Sequence, residues 1–354
     1  MYRLMCIFCF LSINCTAQHL VSAADALVQY NGRIGPISDH VRLEWPGTSV
    51  RLSFTGPELS VDLRDEHGKN RFNVLIDGKV TTILSPDSIR REYVLAKGLS
   101  QGKHTAELFK RTEAGMGGTL LFQFKLHAKD SLISTPKRER RMEFYGNSIT
   151  CGMAIGDTLN NGVDENNFLA YGAVVARALD AEYSCIAKSG IGLMVSWFPE
   201  IMPEIYDRIY ESDAKSQWDF KRYNPQVVVI DLGQNDSWIT KQPENPQFKR
   251  RFGNNAPASG AIINAYVAFF KQLRSKYPQA SIICTLGSMD ATKPGSPWPG
   301  YLQSAVKELH DPLMYSFIFP YMLPAGKKDP HPGIREHQEM AGLLREFIHQ
   351  TVGW

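Results

Sequence analysis

The sequence predicts two domains in one chain, a β-sandwich followed by a parallel α/β sheet with crossover helices. Three observations carry this reading. The 354 residues exceed a typical single domain and leave room for two cores. Residues 25–128 consist of short alternating runs broken by turn residues, the period-2 signature of strands. Beyond residue 141, strand-like runs alternate with longer segments of 3.6-residue period, which calls for parallel strands joined by helices.

Taken in order, residues 1–23 read as a secretory signal peptide. Arg3 precedes a short apolar run, Leu4-Met5-Cys6-Ile7-Phe8-Cys9-Phe10-Leu11, and small residues follow at Thr16-Ala17 and Val21-Ser22-Ala23. The run is too short to span a bilayer comfortably, and no later segment approaches the roughly 20 apolar residues a membrane helix needs. Cys15 invites a lipid-anchor reading, but Asn14 before it is bulkier and more polar than such a site accepts. A secreted or periplasmic, soluble product without a membrane span is expected. Without the leader, Cys151, Cys185 and Cys284 remain, an odd number that reads as buried thiols rather than a disulfide framework.

The predicted sandwich, residues 25–128, contains runs such as Ser49-Val50-Arg51-Leu52-Ser53-Phe54, Leu59-Ser60-Val61-Asp62-Leu63 and Phe72-Asn73-Val74-Leu75-Ile76. Asp77-Gly78 after the last of these signals a tight hairpin. Residues 129–141, with Pro136 and the run Lys137-Arg138-Glu139-Arg140-Arg141, read as a charged linker, and residues 142–354 as the second domain. Helices are expected over 170–179, 262–277 and 334–352. Hydrophobic residues at 43% and charged residues at 21% describe a globular protein. The formal net charge of +3 and the lack of a basic stripe give no support to nucleic-acid binding. His310, His331, His337 and His349 lack Cys or carboxylate partners at ligand spacing, so neither a metal nor another cofactor is expected.

Three blocks carry chemistry. Phe144-Tyr145-Gly146-Asn147-Ser148-Ile149-Thr150 places a serine in a tight turn after an apolar run, which makes Ser148 the candidate nucleophile. A serine hydroxyl needs a base to take its proton and donors to stabilise the oxyanion formed on attack. Val227-Val228-Val229-Ile230-Asp231-Leu232 reads as a buried strand running into Gly233-Gln234-Asn235-Asp236, so Asn235 is either a helix cap or an oxyanion donor. Asp329-Pro330-His331-Pro332 offers His331 as base, or as a neighbour of a helix start with Pro332 at its first position. Pro330 pushes Asp329 toward extended backbone, where residues two apart share a face, so a contact between carboxylate and imidazole is feasible. Asp157, Asp231 and Asp236 read as capping or packing groups, and Cys151 as packing.

Over residues 140–354 these blocks resemble the SGNH (GDSL-type) hydrolase superfamily: a serine in a Gly-Asp/Asn-Ser turn, a glycine, a Gly-x-Asn-Asp block and a late histidine, in that order. The family glycine is best matched by Gly190 in Ser189-Gly190-Ile191-Gly192, after the strand-like run Glu182-Tyr183-Ser184-Cys185-Ile186-Ala187; Gly192 competes. The upstream β-rich region and Asp-x-His-Pro, in place of Asp-x-x-His, resemble carbohydrate esterase family 2 in particular. This resemblance implies a flavodoxin-like catalytic sheet behind a jelly-roll sandwich and a cofactor-free esterase removing acetyl groups from plant polysaccharides. It assigns the oxyanion hole to the Ser148 and Gly190 backbone N–H groups and the Asn235 side chain. Some members of that family work as a Ser-His dyad, which leaves the role of Asp329 open. Trp238 and Trp298, expected in loops near the cleft, are candidates for sugar stacking or for packing. The expected partner is an acetylated polysaccharide or oligosaccharide and the expected state a monomer. The alternatives are an O-acetylesterase for peptidoglycan or host glycans, a lipase or acylhydrolase, and a non-catalytic carbohydrate-binding protein.

Overall fold

The computed structural model describes residues 18–156, 165–322, 324, 326–327 and 329–354. Strands β1 (Gln18–Ser22), β2 (Gln29–Asn31), β3 (Val41–Leu43), β4 (Ser49–Thr55), β5 (Leu59–Asp65), β6 (Phe72–Ile76), β7 (Lys79–Leu84), β8 (Arg91–Ala96), β9 (Lys103–Lys110), β10 (Thr119–His127) and β11 (Leu132–Ile133) form two antiparallel sheets. One is ordered β1-β10-β5-β8 with β3 on β10, the other β11-β4-β9-β6-β7 with β2 on β4. Strand alternation buries Phe54, Val61, Leu63, Phe72, Val74, Leu108, Leu121 and Phe124 in one shared core. Asp77 and Gly78 join β6 to β7 with φ of 49° and 76°, the two left-handed positions that match the twist of the flanking strands.

Two boundaries differ from the sequence reading. Gln18–Ser22, assigned to the leader, are β1, paired with β10 from Gln18↔His127 to Ser22↔Gln123, with Val21 and Ala23 buried. The sandwich therefore includes Gln18–Ser22, ahead of the expected Asp25, while the rest of the leader, with Cys15, lies outside the described residues. Residues 129–141 are not a bare linker either. Leu132 and Ile133 pair with β4, and the next strand already begins at Arg140. A two-residue strand has no period to detect, and a run of Lys and Arg conceals a strand start.

The second domain holds strands β12 (Arg140–Gly146), β13 (Ala181–Ala187), β14 (Val227–Asp231), β15 (Ser281–Leu286) and β16 (Met314–Ile318), all parallel, in the order β13-β12-β14-β15-β16. This is the flavodoxin-like order 2-1-3-4-5, whose switch point lies between its first and third strands. Helices α1 (Ser148–Cys151), α2 (Tyr171–Ala178), α3 (Met202–Ile205), α4 (Gln234–Ile239), α5 (Pro246–Phe252), α6 (Ser259–Lys276), α7 (Trp298–Leu309) and α8 (Ile334–Val352) complete it. The apolar stripes of α2 and α8 cover one face through Val175, Ala176, Met340 and Leu344. Those of α6 and α7 cover the other through Tyr266, Phe270, Leu273 and Leu302. Both faces are thus buried, which is why β14 reads as a continuous apolar run.

The two domains share a buried ion pair. Arg33, between β2 and β3 and 1% exposed, donates from Nη2 to Glu143 Oε1 at 3.3 Å and to the Tyr145 hydroxyl at 2.9 Å. Its Nη1 donates to the carbonyls of Tyr206 and Arg208 at 2.6 and 2.8 Å. Glu143, inside β12, also accepts from Tyr277 Oη at 2.6 Å and Ser184 Oγ at 2.8 Å. Removing one partner of such a pair strands the other charge without water, at a cost of about 3–5 kcal/mol. Arg33→Ala should therefore lose about that much stability in urea unfolding; a loss under about 1 kcal/mol would mean that the pair does not hold the domains together.

Candidate active site

The carboxyl ends of three neighbouring strands are in register: Gly146 of β12 pairs with Ala187 of β13 on one side and Asp231 of β14 on the other. Ser148, Gly190 and Asn235 follow these ends by two, three and four residues, so the three loops meet at the switch point, where ligands bind in open parallel sheets. Gly146 lets the chain turn sharply there, since a Cβ at this position would lie 2.0 Å from Thr150 Oγ1. Asn147 then caps the short helix α1, its Oδ1 accepting the Ile149 N–H at 3.0 Å. Its Nδ2 donates to the Asp231 carbonyl at 3.4 Å and ties the serine turn to β14.

Ser148, the first residue of α1, is 6% exposed. Its Oγ lies 2.9 Å from His331 Nε2, and His331 Nδ1 lies 2.7 Å from Asp329 Oδ1. A carboxylate beside Nδ1 accepts a hydrogen bond from Nδ1–H and so leaves the Nε2 lone pair to accept the serine O–H. The same Asp329 oxygen accepts the His331 backbone N–H at 2.8 Å. The two-residue spacing thus lets one carboxylate hold both the backbone and the ring of the histidine. Lys327 Nζ donates to the Ala154 carbonyl at 2.5 Å and to the His331 carbonyl at 2.9 Å, joining the segment after the serine to the histidine loop.

On the other side of Ser148, Gly190 has φ of 82°, a left-handed conformation that suits glycine. Gly192 is held differently. Its N–H donates to Ser196 Oγ at 2.9 Å, and a Cβ there would sit 2.0 Å from the Val195 carbonyl oxygen. Asn235 Nδ2 donates to the Ile191 carbonyl at 2.8 Å, while its Oδ1 accepts the Trp197 Nε1–H at 3.0 Å. The indole fixes which end of the amide is oxygen, and one Nδ2 hydrogen remains beyond the bond to Ile191. Asp236, fully buried, accepts the N–H groups of Leu193, Met194 and Val195 at 2.9, 2.7 and 3.1 Å. It is the packing group the sequence suggested, and what it packs is the glycine loop.

The two tryptophans singled out from sequence do not lie in loops. Trp298 opens α7, is 3% exposed and belongs to the core beneath the sheet, where it packs on Tyr301. Trp238 lies within α4, half-buried, donating Nε1–H to Asp290 Oδ2 at 3.2 Å. The exposed indole beside the site is Trp197, 45% exposed, with Cδ1 3.3 Å from where a Gly190 Cβ would stand. Sequence reasoning missed it because a tryptophan in an irregular loop carries no period; its closeness to Gly190 was the one signal present. Cys151, Cys185 and Cys284 are buried free thiols. Among the described residues no three His, Cys, Asp or Glu side chains gather as a metal site, and no helix is long and apolar enough to cross a membrane.

With this geometry in place, the comparisons divide the chain as the fold does. Residues 30–136 match the family described as Carbohydrate esterase 2 N-terminal, and residues 144–314 match the GDSL-like Lipase/Acylhydrolase family. A solved family two carbohydrate esterase from Clostridium thermocellum, in complex with cellohexaose, superposes with a TM-score of 0.81 at 30% identity, over 92% of this chain and 99% of that one. The chain belongs to carbohydrate esterase family 2. A second family 2 esterase structure, from Cellvibrio japonicus, matches with a TM-score of 0.84 at 25% identity, covering 96% and 99% of the two chains. Among curated relatives, the chain is 32% identical to Cellulase/esterase CelE of Acetivibrio thermocellus over 92% of its own length, and it spans 40% of that protein. It is 26% identical to an Acetylxylan esterase / glucomannan deacetylase of Cellvibrio japonicus, over 96% of this chain and 93% of the relative.

Asp231, behind the serine turn, is fully buried, and burial pushes its carboxyl up to about 7 although the Tyr171 hydroxyl and the Gly287 N–H favour the charged form. An unfolded aspartate ionises near about pH 4, so between about pH 4 and about pH 7 the folded protein holds a proton that the unfolded chain lacks. The stability this group contributes is complete below about pH 4 and lost as the pH rises through about 7. Asp231→Asn, neutral throughout, should remove roughly 2–3 kcal/mol of the difference in unfolding free energy between pH 5 and pH 8. An unaltered pH slope in the variant would contradict the raised carboxyl.

Proposed function

We propose that this chain is a secreted serine esterase that removes O-acetyl groups from a polysaccharide of the acetylxylan or glucomannan type through an acetyl-serine intermediate. The observation that carries this reading is the continuous line from Ser148 Oγ through His331 to Asp329, with contacts of 2.9 and 2.7 Å. His331 Nε2 takes the Ser148 proton as Oγ attacks the acetyl carbonyl. Negative charge on the carbonyl oxygen is met by the Ser148 and Gly190 N–H groups and by the Asn235 amide. Asp329 holds Nδ1–H and stabilises the imidazolium. The imidazolium then protonates the sugar oxygen, the C–O bond to the acetyl group breaks, and the deacetylated glycan leaves. Water, deprotonated by the same Nε2, attacks the acetyl-serine; acetate departs and Ser148 recovers its proton.

The polysaccharide assignment draws on the curated relatives named for acetylxylan and glucomannan and on the solved relative holding cellohexaose. The exposed Trp197 indole beside Gly190 suits a sugar face. For export, a leader ending at Ala17 is preferred to one ending at Ala23, because the latter would remove β1 from its sheet.

The decisive experiment is acetate release from acetylated xylan, glucomannan, sialoglycan and peptidoglycan by the purified protein and by Ser148→Ala. Release from the first two substrates, abolished in the variant with its fold intact, is expected; release from none of them, or equal release by the variant, would reject the esterase. A second measurement separates a triad from a dyad. Because Asp329 contacts Nδ1 directly, Asp329→Ala should lower kcat by roughly 10³- to 10⁴-fold. A loss of about tenfold or less would assign the orientation of His331 to its backbone surroundings.

A further inference from the structure

Glu113 belongs to the β-sandwich but is not part of its core. It follows β9, and its carboxylate reaches into the hydrolase domain, where Oε2 accepts the Ser189 N–H at 2.7 Å and stands 3.6 Å from Cys151 Sγ. Ser189 immediately precedes Gly190, and Cys151 ends the helix that Ser148 begins. One carboxylate thus touches both the loop of the glycine donor and the helix of the nucleophile.

The group is rigidly placed. Glu113 is 8% exposed, and its own N–H donates to the Glu165 carboxylate. The buried Lys110 ammonium donates to the carbonyls of Thr112 and Glu113 at 2.7 and 3.0 Å. Asp236 fixes residues 193–195 from the far side, so the stretch around Gly190 is held at one end by the hydrolase domain and at the other by the sandwich. A backbone donor works only if it points at the place where the oxyanion forms, and a shift near 1 Å at a reacting centre costs on the order of 10²-fold in rate.

We infer that Glu113 is a positioning residue for the esterase reaction, supplied by the sandwich domain, that sets the Gly190 N–H relative to Ser148. The inference rests on the esterase reading above. It makes the sandwich a structural part of the catalytic centre.

The test is steady-state kinetics of Glu113→Ala, Glu113→Met and Glu113→Gln in the full chain on a chromogenic acetate ester, with Tm measured for each. The Ala and Met variants lose the acceptor for the Ser189 N–H, and kcat should fall roughly 10- to 100-fold with KM within about threefold. Glu113→Gln keeps an acceptor oxygen and should retain kcat within about threefold. On an Asn235→Ala background, Glu113→Met should cost clearly less than it does alone, because both changes act on the same oxyanion. Met fills most of the space of Glu and provides the reading if the Ala variant does not fold. The inference is overturned if the folded Met variant keeps wild-type kcat while only Tm falls, if the Gln variant is as impaired as Met, or if the losses in the double variant are additive. Failure of the esterase reading would look different: the wild-type protein itself would not turn over the ester.

Discussion

A carboxylate in the middle of a central parallel strand has no route to water, and Glu143 in β12 is such a group, with 0% exposure. Left unpaired it would be intolerable, so the surroundings must supply full compensation. Among the described residues the hydrolase domain provides three hydroxyls, from Tyr145, Ser184 and Tyr277, but no cation at hydrogen-bond distance. The cation is Arg33, which the sandwich delivers. The parallel sheet is therefore electrostatically complete only when the sandwich is docked. The Trp45 indole bond to the Ile209 carbonyl at 2.8 Å repeats the pattern, with a buried sandwich side chain satisfying backbone of the hydrolase domain.

Once docking is fixed, the register of β12 follows. Glu143 and Tyr145 face the side covered by α6 and α7, whereas Met142 and Phe144 face α2 and α8. Gly146 ends the strand, and the turn it permits aims Ser148 at the carboxyl edge. What links domain docking to chemistry is thus geometric and short, three residues from the buried Glu143 to the turn glycine. The same interface places Glu113 against Ser189, so the pair that closes the core and the contact beside the site come from one docking event.

Much of this was legible because the telling signals are local. Period-2 alternation showed the sandwich strands, Asp77-Gly78 its hairpin, and the 3.6-residue period the helices expected over 262–277 and 334–352, which the structure places at 259–276 and 334–352. Ser148 and Asn235 stood out because they follow apolar strand-like runs, and His331 because Asp329-Pro330-His331-Pro332 precedes an amphipathic segment. The illegible parts depend on partners far along the chain. β1 is a strand because β10 pairs with it, more than a hundred residues later in the sequence. Trp298 looked like a loop residue until helix α7 and its core were assembled around it. Glu113 has no motif at all; its meaning comes from a contact to Ser189, 76 residues away.

The spacing of Asp329 and His331 shows how a short sequence departure is absorbed by physics. An acid and base three positions apart would allow a turn; two positions apart, with Pro330 alone between them, the sequence favours extended backbone. The structure instead bends the chain at Asp329 and His331, and the Asp329 carboxylate reaches forward to the His331 N–H as well as to the ring, the contact of an Asx turn. The backbone bond is available whatever the ring does, so it pre-orders the carboxylate before the imidazole becomes charged. Asp236 uses the same device on three successive N–H groups, and Glu113 on one. Each of the loops carrying His331 and Gly190 is thus fixed by a carboxylate bonded to backbone N–H groups. That arrangement suits the proposed reaction, in which charge appears only transiently: donors and base have to be in place beforehand, since reorganising them during attack would raise the barrier.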